Sequence, residues 1–282
     1  MIDLHLHTTA SDGTWTPGQL VTGVLAAGVQ VFSVTDHDTT AALSAVATLA
    51  ARHGLTFVPG IEISAIHDGH DVHLLGYAFE PAAESLNDLL RTLRAARVTR
   101  VGEIAGRLAD LGAPIDVASL EHAAQRQPER SIGRPHVARA LVAAGHASTV
   151  DDAFDRFLAT GRPAHVTRRS VSPADVVSAI GAAGGIVSLA HPGLLRRDDW
   201  IPWLVTQGVV ALEVYHSSHD RGDEERYRAL AESMGVAVSG GSDDHGPASG
   251  RPPSLGTVGL PWDDYEELRR CARQHECYRW PE

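Results

Sequence analysis

Ile2-Asp3-Leu4-His5-Leu6-His7, followed by Ser11-Asp12-Gly13 and Thr16-Pro17, is the stretch on which the fold turns. The first six residues read as a short strand and Ser11-Asp12-Gly13 as a turn. Thr16-Pro17 form an N-cap and first-turn pair that opens a helix to about Gly28. Moving outward, Val29 to Val34 is a β-branched strand, Thr39 to His53 is helix-like, and Thr56 to about Ser64 is a third strand with Val72 to Phe79 pairing beside it. Strand–helix alternation of this kind predicts a parallel sheet or barrel.

After Pro81 the pattern changes. Leu86, Leu89, Leu90, Leu93, Val101, Ile104, Leu108 and Leu111 recur at three- and four-residue steps, the period of a helix. Helical segments follow at Val117–Gln125, Pro135–Ala144 and Val150–Ala159. Residues 82–165 are therefore expected to form a helical insertion, a cap, and residues 1–81 with 166–282 one α/β domain. From Pro173 the alternation resumes, with strands at Ile186–Ala190, Ala211–Tyr215 and Val236–Ser239 and helices near Trp200–Gln207 and at Glu224–Met234.

The 282 residues, 43% of them hydrophobic, suit a globular chain of one large domain or one domain plus an insertion. No run approaches the ~18 apolar residues that cross a bilayer, and the first residues do not resemble a secretory leader. The expected location is cytoplasmic, with no membrane partner. Cys271 and Cys277 cannot make a disulfide framework and read as ordinary thiols. A formal net charge of -11 argues against stable binding of duplex nucleic acid. Every basic residue is arginine; lysine is absent. That removes Schiff-base chemistry, the P-loop lysine and a carbamylated-lysine metal bridge.

The histidines carry the functional signal. The strand ends bear His5 and His7, Asp36-His37-Asp38, Glu62, His191-Pro192 and Ser242-Asp243-Asp244-His245, with His73 on the fourth strand. In α/β barrels this rim builds active sites. Converging carboxylates repel, and burying them uncompensated is costly. Divalent cations supply the compensation, so a polynuclear metal site is expected.

His5-Leu6-His7, Ser11-Asp12-Gly13, Thr35-Asp36-His37-Asp38, Gly60-Ile61-Glu62, Ala190-His191-Pro192 and Gly241-Ser242-Asp243-Asp244-His245 resemble, in order, the motifs of the PHP (polymerase and histidinol phosphatase) family. The insertion resembles that of its small phosphoesterases, the nucleoside 3′,5′-bisphosphate phosphatase and RNase AM group. The resemblance implies a distorted (β/α)7 TIM-like barrel with two or three divalent metal ions. It implies that His5, His7, Glu62 and Asp243 hold one metal and that Glu62 bridges to a second held by His73 and His191. Asp12, His37 and His245 would hold the third. Many relatives have histidine where Asp12 stands; this harder ligand tilts the expected metal from zinc toward manganese or iron, with manganese slightly favoured.

Paired metals clamp a phosphoryl group and acidify a bound water. No catalytic side chain beyond the metal-bound hydroxide is then required. Arg134, opening a predicted helix, is the candidate to grip substrate phosphate, with His136 beside it. Arg91, Arg94, Arg97 and Arg100 drift around a helix and read mainly as a solvated face, with Arg97 and Arg100 as candidates for a second phosphate. His219 is a candidate at the pocket edge, as is His216, whereas His67 and His70 read as an exposed turn. The expected activity is hydrolysis of a small phosphate monoester, foremost the 3′-phosphate of a nucleoside 3′,5′-bisphosphate. A 5′-3′ exoribonuclease on short oligonucleotides, a histidinol-phosphate phosphatase and a non-catalytic metal-binding module are the alternatives.

Overall fold

In the computed structural model the described residues are 1–168, 171–275 and 280–281. Among them, seven strands form one sheet in sequence order: β1 (Ile2–Asp3), β2 (Val31–Val34), β3 (Thr56–His67), β4 (His70–Tyr77), β5 (Ile186–Leu189), β6 (Ala211–His216) and β7 (Ala237–Gly241). The barrel nearly closes because the chain beyond β1 also bonds to β7. Leu4 N–H donates to Gly240 O at 3.1 Å and His7 N–H to Asp244 O at 3.0 Å. The same segment reaches β2 through Thr35 N–H to Leu6 O at 2.8 Å. His5 and His7 are thus fixed between two neighbouring strands.

Helices α1 (Pro17–Ala26), capped by the Thr16 side chain, and α2 (Leu43–Arg52) cover the first crossovers. Thr39 to Ala42 form turns before α2, so the expected helix starts four residues late. One strand departs from the parallel expectation: β4 runs antiparallel to both β3 and β5. The cause is local. Only Asp68-Gly69 separates β3 from β4, with φ of 47° and 76°, and a two-residue Asp-Gly turn makes a hairpin whereas a parallel neighbour needs a long crossover.

The helix α3 (Glu84–Asp110) is continuous through 27 residues and belongs to two apolar cores. Leu86, Leu90 and Leu93 pack into the barrel core, while Val101, Ile104 and Leu108 pack into a second core. That second core is completed by α4 (Val117–Arg126), α5 (Arg134–Ala143), α6 (Val150–Ala153) and a π-helical turn at Phe154–Leu158. The barrel's later half is wrapped by α7 (Pro173–Ala182), α8 (Pro192–Leu195), α9 (Ile201–Thr206), α10 (Arg221–Met234) and α11 (Trp262–Gln274). Cys271 is a half-buried free thiol; Cys277 lies outside the described residues. No helix among the described residues is long and apolar enough to cross a membrane.

Candidate active site

Glu62 lies within the buried stretch of β3, at the centre of a histidine cluster. Its Oε2 lies 3.4 Å from His5 Nε2, 3.3 Å from His7 Nε2 and 3.1 Å from His37 Nδ1. Its Oε1 lies 2.6 Å from His73 Nδ1 and 3.1 Å from His191 Nε2. The two oxygens therefore face two different sets of imidazoles. Asp243 Oδ1 lies 3.0 Å from His7 Nε2 and 3.3 Å from His5 Nε2. Asp12 Oδ1 lies 3.3 Å from His245 Nε2, and its Oδ2 3.8 Å from His37 Nε2.

The donor atoms form overlapping groups within 4.8 Å: His5, His7, Glu62 and Asp243; His7, Asp12, His37 and His245; and His37, Glu62 and His73. His7 and His37 each belong to two of them. His7 Nε2, Asp12 Oδ1, His37 Nδ1 and His245 Nε2 are buried without a hydrogen-bond partner. Buried polar atoms are normally satisfied, and this set of imidazole nitrogens and carboxylate oxygens is the donor chemistry of first-row divalent cations. The residues fit such a group. Burial alone would raise the Glu62 carboxyl, but the His37 and His73 rings hold it well below the usual range. His245 and His37 do the same for Asp12. Burial drives His37 well below the ordinary imidazole value, against the pull of Glu62 and Asp12.

A further layer fixes these side chains. Glu213, fully buried on β6, bonds His5 Nδ1 at 2.8 Å and the backbone N–H of His191 at 2.7 Å. Asp36 accepts from Thr8 N–H at 2.8 Å, Thr8 Oγ1 at 2.6 Å and Ser11 Oγ at 2.5 Å, holding the loop that carries Asp12. Asp38, His191 and Asp243 sit at φ of 51°, 29° and 53°, a left-handed region that costs non-glycine residues energy and is found where side chains must be aimed.

Beside His73 on β4, Asp71 anchors an arginine pocket of about 420 Å³ lined also by Arg100, His165 and Arg168. Arg134 Nη2 lies 3.2 Å and Arg168 Nε 3.7 Å from the Asp71 carboxylate. Burial, then the neighbouring Arg134 and Arg168, pushes Arg100 down to about 9. Burial and Arg97 push Arg168 down to about 10. Arg168 Nε and Nη1 are buried with no hydrogen-bond partner. This is a pocket with more cationic charge than its carboxylate can balance, the electrostatic form of an anion site.

Other candidates take different places. Gly133 caps α5, Arg134 opens it, and His136 Nδ1 accepts the Gly133 N–H at 3.2 Å. Arg97 and Arg100 are not solvated, as the helix-drift reading held, but 9% and 8% exposed. They lie where α3 crosses the seam between the two cores, so its polar face meets protein instead of water. Arg97 Nε binds Asp38 Oδ2 at 2.5 Å and its Nη2 donates to Ser64 Oγ at 3.2 Å; it joins α3 to the barrel. His219 Nδ1 bonds Val214 O at 2.8 Å and its Nε2 accepts Gly193 N–H at 3.1 Å. With both nitrogens taken by backbone, it supports the loop after His191 and has none left for a ligand. His67 is stacked on Trp203 at 4.0 Å between ring centres instead of lying free. Sequence reasoning missed Glu213, Arg168 and Arg251, whose Nη1 lies 3.0 Å from Asp243 Oδ2. Alternation along β6 could have pointed Glu213 inward; Arg168 and Arg251 lie in irregular segments with no period to read.

The family model described as the PHP domain matches residues 3–156. A 3′,5′-nucleoside bisphosphate phosphatase of Chromobacterium violaceum is 33% identical over 260 residues, covering 88% of this chain and 88% of that protein. The 5′-3′ exoribonuclease Rnm of Salmonella typhimurium is 34% identical over 254 residues, covering 87% and 85%. The crystal structure of a metal-dependent phosphoesterase from Bifidobacterium adolescentis superposes with a TM-score of 0.86 at 34% identity, covering 96% of this chain and 95% of that one.

Proposed function

This chain belongs to the PHP domain family and is a metal-dependent phosphoesterase; from that premise we propose that it hydrolyses a small phosphate monoester, the 3′-phosphate of a nucleoside 3′,5′-bisphosphate. The observation that carries this reading is the arginine pocket, with two unpartnered nitrogens of Arg168 beside Asp71. Asp71 and His73 are two residues apart on one strand, so the pocket and the metal rim are separated by about 6.6 Å along β4. That step suits two phosphates on one ribose.

His5, His7, Glu62 and Asp243 would hold one cation, Glu62, His73 and His191 a second, and Asp12, His37 and His245 a third; manganese, iron or zinc suits these donors, the Asp12 oxygen favouring manganese slightly. When bound, the cations supply charge neutralisation and a water acidic enough to act near neutral pH. The chain's own residues do the rest. Arg134, Arg100 and Arg168 seat the phosphate that stays. His136, its Nδ1 occupied by Gly133 N–H, presents Nε2–H as a neutral donor beside Arg134. Residues 82–165, supplying Arg134, His136 and Arg100, act as a cap over the barrel mouth and restrict the substrate to small esters.

Release of inorganic phosphate by the metal-loaded enzyme tests this with 3′,5′-bisphosphates, mononucleotides and histidinol phosphate, set side by side with release of 5′-mononucleotides from 5′-phosphorylated RNA trimers. The expected order puts bisphosphates first. Arg134→Ala and Arg168→Ala should each lower kcat/KM for them about ten- to hundredfold, with metal content unchanged and smaller losses for p-nitrophenyl phosphate. Preference for the trimers would support the second reading, an exoribonuclease on short RNA, which the Salmonella relative's name favours. A histidinol ester, carrying an amine, would meet repulsion from the buried guanidinium groups. Failure to release phosphate from any of these would overturn the reading.

A further inference from the structure

We propose that His216 is a hydrogen-bond donor to the phosphoryl group under attack and takes no part in holding metal. Position alone leaves its role open, because His216 lies with His5 and Glu213 in a group that could hold a cation. The tautomer decides. Ser218 N–H reaches His216 Nδ1 at 3.1 Å, and Ser218 Oγ lies 2.7 Å from the same atom. A backbone N–H can only donate, so Nδ1 must carry the lone pair, and the neutral ring holds its proton on Nε2. A metal on Nε2 would require that lone pair as well, turning the ring into an imidazolate. His5 shows the opposite wiring: its Nδ1 lies 2.8 Å from the Glu213 carboxylate, which can only accept when ionised, so its Nε2 is free to ligate.

The His216 Nε2–H is left without a hydrogen-bond partner although the residue is 2% exposed. The nearest carboxylate oxygen, Asp243 Oδ2, is 3.5 Å away and already bonded by Arg251 Nη1 at 3.0 Å. His216 faces a cavity of about 360 Å³ lined also by Leu194, Asp243, His245 and Arg251. Its ring centre is 5.2 Å from that of His191 and 6.0 Å from that of His5, so the donor overlooks the edge where two of the candidate metal groups meet. An unpaired buried N–H aimed at such a cavity costs stability unless a ligand oxygen completes it. An oxygen of the phosphoryl group is the acceptor a phosphoesterase brings there, and a donor fixed in advance stabilises charge that grows on it during reaction. The proposal rests on the phosphoesterase reaction alone and holds for any ester.

Two measurements test it. In zinc-loaded protein, nitrogen-15 NMR of the histidine rings should give His216 a protonated Nε2 and a bare Nδ1. Titration of His216→Leu and His216→Gln with inorganic phosphate, each after metal analysis, should show phosphate affinity reduced about ten- to hundredfold in the leucine variant. The glutamine variant, whose amide can still donate, should recover part of it, and both should keep full metal content. A proton on Nδ1, a loss of metal with phosphate affinity per loaded site unchanged, or no loss of phosphate affinity at all would each overturn the proposal. The NMR result stands even if the leucine variant fails to fold. Loss of phosphate affinity without any bisphosphate preference would leave His216 as assigned and refute only the substrate.

Discussion

At the scale of single residues, Glu62 is the side chain on which the centre depends, because its two oxygens face separate groups of imidazoles. Glu62→Gln keeps the shape and removes the charge. Elemental analysis should show a greater metal loss than His73→Ala or Asp12→Ala causes, and turnover should fall beyond the ~10–100-fold typical of changes outside the ligand shell. Full metal content with near-normal turnover would refute the bridging assignment. His136 gives a test that needs no metal. Burial, against the pull of Asp12, pushes its ring down to about 4 from an ordinary 6.5. Between those values the unfolded chain takes up a proton that the folded chain refuses. Stability from this ring is therefore complete above pH 6.5 and is lost as pH falls toward 4, by at most about 3 kcal/mol. Urea unfolding of metal-free protein at pH 7.5 and 5.0 should lose less in His136→Asn than in the wild type; equal losses would mean a charged ring in the fold. The clustering of the histidines was legible because polar residues at strand ends have few structural uses. Arg97 and Arg100 were misread because a helical period cannot tell water from a second core, and His219 because its backbone partners are remote in sequence.

At the scale of elements, strands hold the clustered histidines and carboxylates through close backbone approach. Gly241, ending β7, lies where an added Cβ would strike the His5 backbone nitrogen and approach Asp3 Oδ1 to 2.8 Å. Gly241→Ala should force β1 away from β7, costing roughly 1–3 kcal/mol and lowering metal content through His5. A urea midpoint and elemental analysis read the two effects, and wild-type values for both would show that the barrel closure yields there. Most element positions follow from periodicity and turn chemistry: the Thr16-Pro17 start of α1 and the long run of α3 were legible, as was the strand from Ala211. The direction of β4 was legible only in Asp68-Gly69, two residues outweighed by the alternation around them. The bond from Leu4 to Gly240 that helps close the barrel is invisible to any local pattern, since it joins residues at opposite ends of the chain.

At the scale of the molecule, the two cores share α3, and the buried Arg97–Asp38 pair sits where that helix passes from one to the other. Removing one partner of a buried ion pair leaves the other charge stranded, at a cost of about 3–5 kcal/mol. Arg97→Met should therefore be strongly destabilising, whereas Arg97→Met with Asp38→Leu should recover much of the loss, because neither charge is then buried alone. The pair also predicts how the molecule unfolds. All five tryptophans, Trp15, Trp200, Trp203, Trp262 and Trp280, lie outside residues 82–165, so tryptophan fluorescence follows the barrel, while far-ultraviolet circular dichroism is weighted toward the helices. In the wild type the two signals should change together in urea, since α3 cannot melt in one core without losing its run into the other. In Arg97→Met the helical signal should begin to fall first, as the cap half of α3 comes free of the seam. Separate transitions already in the wild type would show that the cap and barrel unfold independently, and that Arg97 orients the cap without coupling the two.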